Sequence, residues 1–446
     1  MLEAARRRNP LPTGSIAVGS GLLVAGVSAY GFLVVSDISL SRVQYAPLSA
    51  LWGLVFLAGP GLFLPLEQEV SRAIADRRAR GEGGAPVFRR AAAIGIALCA
   101  GVVLLLVAVS PWAVDELFDH QVLLLVGFVL GLGGALAGHL ARGALSGTGH
   151  FRGYATFIGA DGFLRFLGAL GLLVLGVSTA GWFGIALGIS GLFAVPLALR
   201  VQRPRLTEGP QSTWSEVSTA LGFLMVASLL SFGIMNIGPV LVKLLATEAQ
   251  ADAAGRFLPG LVIARIPLFL FQAVQAALLP KLSGLAGAGR IDDFRHGLVR
   301  LLRVVAWLAG LGTLAGFTVA PFVVSIMFSD IDLGSRTLGL LAAGSGFFML
   351  ALACAQAVIA LGGHRDQAVA WALGMLTLLA TTLLVSRDLF LRVEVGLLIG
   401  SLVAFLSMGA LLLNRLRDAA SAGAEPATPA EPQELVDALR GAAADT

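Results

Sequence analysis

Apolar runs long enough to cross a bilayer recur along almost the whole chain, and they decide its class before any motif is considered. A hydrocarbon core takes about 20 helical residues per crossing. On that ruler spans fall near 14–35, 47–66, 91–114, 121–141, 154–177 and 182–199. After a polar break at 200–213 they resume near 217–241, 252–279, 301–328, 338–361, 368–385 and 393–413. Only 13% of the 446 residues are charged, roughly half the share of a soluble domain. With 57% hydrophobic residues and a mean hydropathy of +0.86, the chain is a polytopic membrane protein, not a soluble enzyme. The expected fold is all-α: twelve transmembrane helices in two six-helix bundles related by a pseudo-two-fold axis along the membrane normal.

The loops orient these spans. Of 31 basic residues, 23 fall in loops on the side of the N-terminus and four (Arg42, Arg336, Arg387, Arg392) on the other, so both termini are expected in the cytoplasm. Arg6, Arg7 and Arg8 precede the first span like the head of a signal peptide, but no small-residue cleavage site follows, which makes it a retained helix. The expected boundaries are a cytoplasmic N-terminus at 1–13, a first bundle at 14–199, a cytoplasmic linker at 200–214 and a second bundle at 215–415. The Ala-, Pro- and Glu-rich residues 416–446 are too polar to fold alone and are expected to form a disordered cytoplasmic tail.

The halves also echo one another. SRAIADRRARGEGGAPVFRRAAA after span 2 is answered by KLSGLAGAGRIDDFRHGLVRLLR after span 8, which sets Phe88 and Phe294 206 residues apart. ALSGTGHFRGYA after span 4 is answered by VIALGGHRDQAV after span 10. Parallel repeats of this kind mark transporters whose two bundles rock about a central site.

Soluble-enzyme chemistry is missing. The glycines at 131, 133, 134 and 138 lie inside an apolar span and serve close helix packing. Cys99 and Cys354 are isolated core residues, His139, His150 and His364 sit near span ends without ligand spacing, and no Walker motif occurs. No catalysis, cofactor, metal or nucleic-acid partner is expected.

What remains is the polar groups at membrane depth. Asp161 and Arg165, four apart in span 5, share a helix face, either as a self-neutralised lock between helices or as part of the lining of the cavity between bundles, with Arg165 open to an anion when the pair parts. In span 7, Asn236 and Lys243 flank Gly238-Pro239, where a bend is expected; Lys243 lies near the outer surface, where a lysine can snorkel. Arg256 is one turn into span 8 and within reach of headgroups. Arg265 is deeper, where a guanidinium costs about 2.5–3.5 kcal/mol on insertion scales. On a continuous helix it shares a stripe with Gln272 and Gln275, opposite an apolar side, which suggests a wet lumen. Counting four basic residues and one acid, Asp161, inside the spans, a cationic lumen suits an anionic headgroup such as a phosphate or pyrophosphate. A proton- or cation-coupled small-molecule antiporter, which needs a carboxylate in the pathway, is the alternative, and a scaffold for glycan-synthesis enzymes a third.

The two-half architecture, the loop after span 2, the block ARGALSGTGHFRGYATFIGADGFLRF and the block ARIPLFLFQAVQAALLPKLSGLAGAGRIDDFRHGL together resemble the polysaccharide-export branch of the multidrug/oligosaccharidyl-lipid/polysaccharide flippase superfamily, particularly as found in high-GC Gram-positive bacteria. The resemblance implies alternating-access flipping of a polyprenyl-diphosphate-linked oligosaccharide across the cell membrane for cell-surface polysaccharide biosynthesis. It makes Arg265 a cavity cation of the second half and Arg165 its counterpart; on the flippase reading the sugars are expected to meet Asn236, Gln272 and Gln275. Membrane lipids and the glycosyltransferases or polymerase of the same route are the implied partners. Lipid II flippases have two further spans and a basic first span; span 1 here has no interior charge, so the resemblance points to another lipid-linked saccharide.

Overall fold

The computed structural model describes residues 14–212, 221–268, 271, 282, 284–286, 288–328 and 333–424. Among them there is no strand. The first bundle comprises α1 (Ser15–Ser39), α2 (Arg42–Ala79), α3 (Ala85–Ala108), α4 (Val122–Gly147), α5 (Phe151–Val174) and α6 (Ala180–Val201). The second begins with a bent pair, α7a (Leu221–Asn236) and α7b (Gly238–Leu245), and a short α8 (Phe257–Ile263). It continues with α9 (Ile291–Thr318), α10 (Ser335–Ala360), α11 (His364–Leu384) and α12 (Leu389–Ala424). Ten of the described helices are long and apolar enough to cross a membrane, eleven counting the bent pair as one. The protein is a multi-pass membrane protein of two helical bundles.

The sequence repeat is also a repeat of packing. In the first bundle α1 packs on α5, α2 and α3 on α4, and α6 on α4 and α5. Each pairing recurs six helices later: α7a on α11, α8 and α9 on α10, and α12 on α10 and α11. The echoed loops close their helices identically. After α2, Gly81 takes φ 75° while the Glu82 amide donates to Arg77 O at 2.9 Å; Gly289 takes φ 67° while the Arg290 amide donates to Leu285 O at 3.0 Å. Only glycine adopts this left-handed cap without strain, and each echoed loop supplies one, Gly81 in GEGG and Gly289 two positions later in GAGR.

α2 and α7a form the seam between bundles. α2 holds three prolines and runs past the expected end at 66 to Ala79, burying Glu67 and Glu69 on the way. α12 likewise continues beyond 415 to Ala424. At the end away from the chain termini the bundles share one core, in which Phe32, Tyr45 and Trp52 pack with Leu258, Val262 and Val324. There Tyr30 Oη donates to Val262 O at 3.2 Å, and Lys243 pairs with Asp119 across the bundles at 2.5 Å. Toward the other end Leu23 and Val27 of α1 are more than half exposed. The two bundles are therefore sealed together at the far end.

At the near end the linker folds over the loop between α2 and α3. The fully buried Arg77 donates to Gly83 O at 3.0 Å and to Pro210 O at 2.8 Å. Arg89 grips Glu208 with two bonds of 2.5 and 2.8 Å, which holds that carboxyl below the usual carboxylate range.

Candidate functional site

In the first bundle polar side chains from four helices converge. Because α2 continues helically through Pro65, the Glu67 carboxylate is carried inward, where it is 5% exposed. Tyr154 Oη on α5 donates to it at 2.9 Å, His139 Nδ1 on α4 lies 2.8 Å away, and Arg142 Nη2 is 2.6 Å away. His139 and Arg142 are three apart, so one face of α4 presents both. His139 is thus a buried member of a network, not the interfacial residue its position near a span end suggests.

Two turns further along α5 is Asp161, to which Arg165 Nη2 donates at 2.6 Å, and Ser190 Oγ on α6 donates to the other carboxylate oxygen at 2.7 Å. The Arg165 guanidinium also lies 5.1 Å from the Phe56 ring and 5.7 Å from the Trp52 ring, within cation–π range. His139, Arg142, Asp161, Arg165 and Ser190 line one cavity of about 170 Å³, walled by Phe56 and by glycines of α4 and α6. The Asp161–Arg165 pair thus ties α5 to α6 and lines a cavity that lies within the first bundle, not between the bundles.

The charge count changes with this network. Glu67 and Asp161 oppose Arg142 and Arg165, so the first-bundle site is balanced and not cationic. The expectation of a single acid within the spans is corrected by Glu67, which the apolar ruler placed just outside span 2, and by Glu394, which is wholly buried in α12.

Arg265 lies elsewhere. It is 7% exposed in the second bundle and borders a notch of about 20 Å³ lined by Leu261, Ser345, Phe348 and Ser401 among others, room for about one water. Span 8 is not one continuous helix. Turns at 255–256 and 264–265 interrupt it, and the Arg265 amide donates to Val262 O at 3.2 Å in a tightened turn. Pro267 contributes by removing the amide that would close on Ile263. The stripe from Arg265 to Gln272 and Gln275 assumed an unbroken helix, and both glutamines lie outside the described residues. Among the described residues no carboxylate or hydrogen-bond acceptor meets the Arg265 guanidinium, whereas Arg142, Arg165, Lys243 and Arg256 each meet an acid.

Asn236 belongs to the seam. Its amide nitrogen donates to Phe56 O on α2 at 3.2 Å and to Phe232 O at 3.0 Å, beside the 58° bend between α7a and α7b. The structure thus gathers Asp161 and Arg165 in one bundle, leaves Arg265 in the other, and sets Asn236 between them.

No family model matches the chain. One uncharacterized protein of Mycobacterium tuberculosis is 26% identical over 409 residues, covering 88% of this chain and 90% of the relative. A second from the same species is 26% identical over 421 residues, covering 91% and 93%. Among solved structures, a multidrug resistance MATE family transporter of the MOP superfamily in its inward-facing conformation gives a TM-score of 0.65 at 16% identity, over 90% of this chain and 99% of that one. An outward-facing conformation of such a transporter gives 0.64 at 15%, over 92% and 96%. The Vibrio cholerae MATE transporter VcmN in the bent form gives 0.57 at 18%, over 91% and 99%. At these identities the likeness is one of fold: the chain has the two-bundle fold of MATE transporters of the MOP superfamily.

Proposed function

We propose that this protein is a transporter that carries a polyprenyl-diphosphate-linked oligosaccharide from the cytoplasmic to the outer leaflet of the cell membrane by alternating access. The observation that supports it is Arg265, a buried guanidinium with no acid beside it among the described residues. A cation held at depth without a counter-ion is costly unless a ligand supplies the charge. A diphosphate is matched to guanidinium in both charge and geometry. The notch is too small for it in this conformation, so binding requires movement, and the broken turn at 264–265 is the natural joint. Arg165, stacked on Phe56 and Trp52, is the first-bundle cation of the same path once its pair with Asp161 opens. The polyprenyl tail stays in lipid, and enzymes that build and polymerise the glycan act before and after the protein.

In a strain lacking the chromosomal copy, Arg265→Ala at normal protein level is expected to abolish export of the cognate glycan and Arg265→Lys to retain part of it. Full complementation by Arg265→Ala would overturn the role of Arg265.

A second reading is a cation- or proton-coupled small-molecule antiporter, favoured by two carboxylates, Glu67 and Asp161, in or behind the first-bundle cavity. It requires gradient-driven transport in vesicles that Asp161→Asn abolishes.

A further inference from the structure

The two halves carry the same loop between their second and third helices, yet they use its cations differently. At the 206-residue spacing Phe88-Arg89 answers Phe294-Arg295. In the first half these cations are satisfied internally: Arg77 by backbone carbonyls and Arg89 by Glu208. In the second half Arg295, Arg300 and Arg303 are all exposed, and among the described residues none of them meets a carboxylate. Arg290, which does, pairs with Asp293 at 2.7 Å.

The arrangement of these residues is specific. At 100° per residue, Arg295, Val299, Arg303, His296, Trp307 and Arg300 fall within roughly 140° of one side of α9. That side leads down into Leu311 and Leu314, both more than half exposed, so it faces lipid. Trp307, 75% exposed, sits one turn inward of Arg303, and an indole at that level marks the membrane boundary. The guanidinium groups then lie at headgroup height. Asp292, Arg295, His296, Arg300 and Arg303 line a surface recess of about 500 Å³. The first-half positions matching Arg300, Arg303 and Trp307 are Ile94, Ala97 and Gly101, so neither the fold nor the helix needs cations there. A general excess of basic charge orients a membrane protein without requiring that it share the lipid-facing stripe.

We propose that this face of α9 docks the headgroup of an anionic phospholipid of the surrounding bilayer. Arg295, Arg300 and Arg303 hold its phosphate, and its acyl chains lie along Trp307, Leu311 and Leu314. The charge complementarity and the depth of the indole select a lipid over a soluble anion.

The test is retention of phosphatidylglycerol against phosphatidylcholine on the detergent-purified full chain, titrated by native mass spectrometry. Combining Arg295→Gln, Arg300→Gln and Arg303→Gln is expected to weaken phosphatidylglycerol retention roughly 100-fold, and each single change about fivefold, with phosphatidylcholine unaffected. Arg89→Gln, the first-half counterpart, is expected to leave retention unchanged. The single variants carry the test if the triple variant does not fold. Retention within about threefold of wild type in the triple variant, or equal loss in Arg89→Gln, overturns the proposal. Displacement of phosphatidylglycerol by added polyprenyl diphosphate from wild type but not from the variant also overturns it, because the face would then serve that ligand.

Discussion

Pro60 has no amide hydrogen to offer the Phe56 carbonyl one turn back, and the oxygen left open is the one that Asn236 reaches across the seam. Asn236→Leu strands that carbonyl and is expected to lower stability by about 1–3 kcal/mol. Adding Pro60→Ala, which restores the helical donor, is expected to recover most of the loss. An unchanged midpoint of thermal unfolding in Asn236→Leu would contradict this role. Glu67 has larger stakes, since Glu67→Ala leaves Arg142 buried without its acid, at a cost of about 3–5 kcal/mol. The double change Glu67→Ala with Arg142→Met is expected to be more stable than Glu67→Ala alone. Glu67 was hidden in the sequence because a hydropathy ruler stops at the first charge after an apolar run. Its partners come from α4 and α5, and no local pattern shows that they meet it. The available signal was His139 and Arg142 at helical spacing, both polar beside a glycine-rich span. Asp161 with Arg165 was legible because both ends of the pair lie on one helix.

Single helices could be read where their cause is local. Gly238-Pro239 announces a bend, and the axis turns 58° there. In span 8 the prolines at 259 and 267 announce a kink, but the chain breaks at 264–265, where Tyr30 from the other bundle shares the Val262 carbonyl with the Arg265 amide. That partner is a tertiary fact. Lys243 shows the same limit: a lysine near a span end reads as snorkelling, whereas it reaches Asp119 in the loop before α4. Asp119 and His120 take φ of 47° and 62°, both in the left-handed region. Such a conformation in two consecutive non-glycine residues is strained and must be held by its surroundings. Lys243→Asp is expected to loosen the far end by placing like charges together, and Asp119→Lys with Lys243→Asp to close it again. Labelling of a cysteine placed at Val262, in a background without Cys99 and Cys354, measures this from the side of the Asp119 loop. Equal labelling in wild type and Lys243→Asp would refute the latch.

Across the whole molecule, the recurrence of each helix pairing six helices later makes two similar bodies joined along α2 and α7a. The sequence echoes revealed that symmetry because the same left-handed glycine caps are needed at the same turns. They did not reveal how the polar residues divide. Among the described residues the first bundle holds a balanced cavity and the second a buried cation that meets no acid, a difference that depends on which faces meet inside each bundle. Flipping by such a pair of bodies requires the far-end seal to open, so a cross-link between cysteines at Tyr30 and Val262 is expected to stop transport. The most direct measurement is translocation of a polyprenyl-diphosphate oligosaccharide in reconstituted vesicles, scored by access of an external glycosidase to the sugar. Wild-type protein is expected to move the lipid to the accessible leaflet, and Arg265→Ala to slow that movement roughly 10- to 100-fold, the worth of a charge-assisted pair with phosphate. Equal rates in wild type and Arg265→Ala would contradict the proposed function.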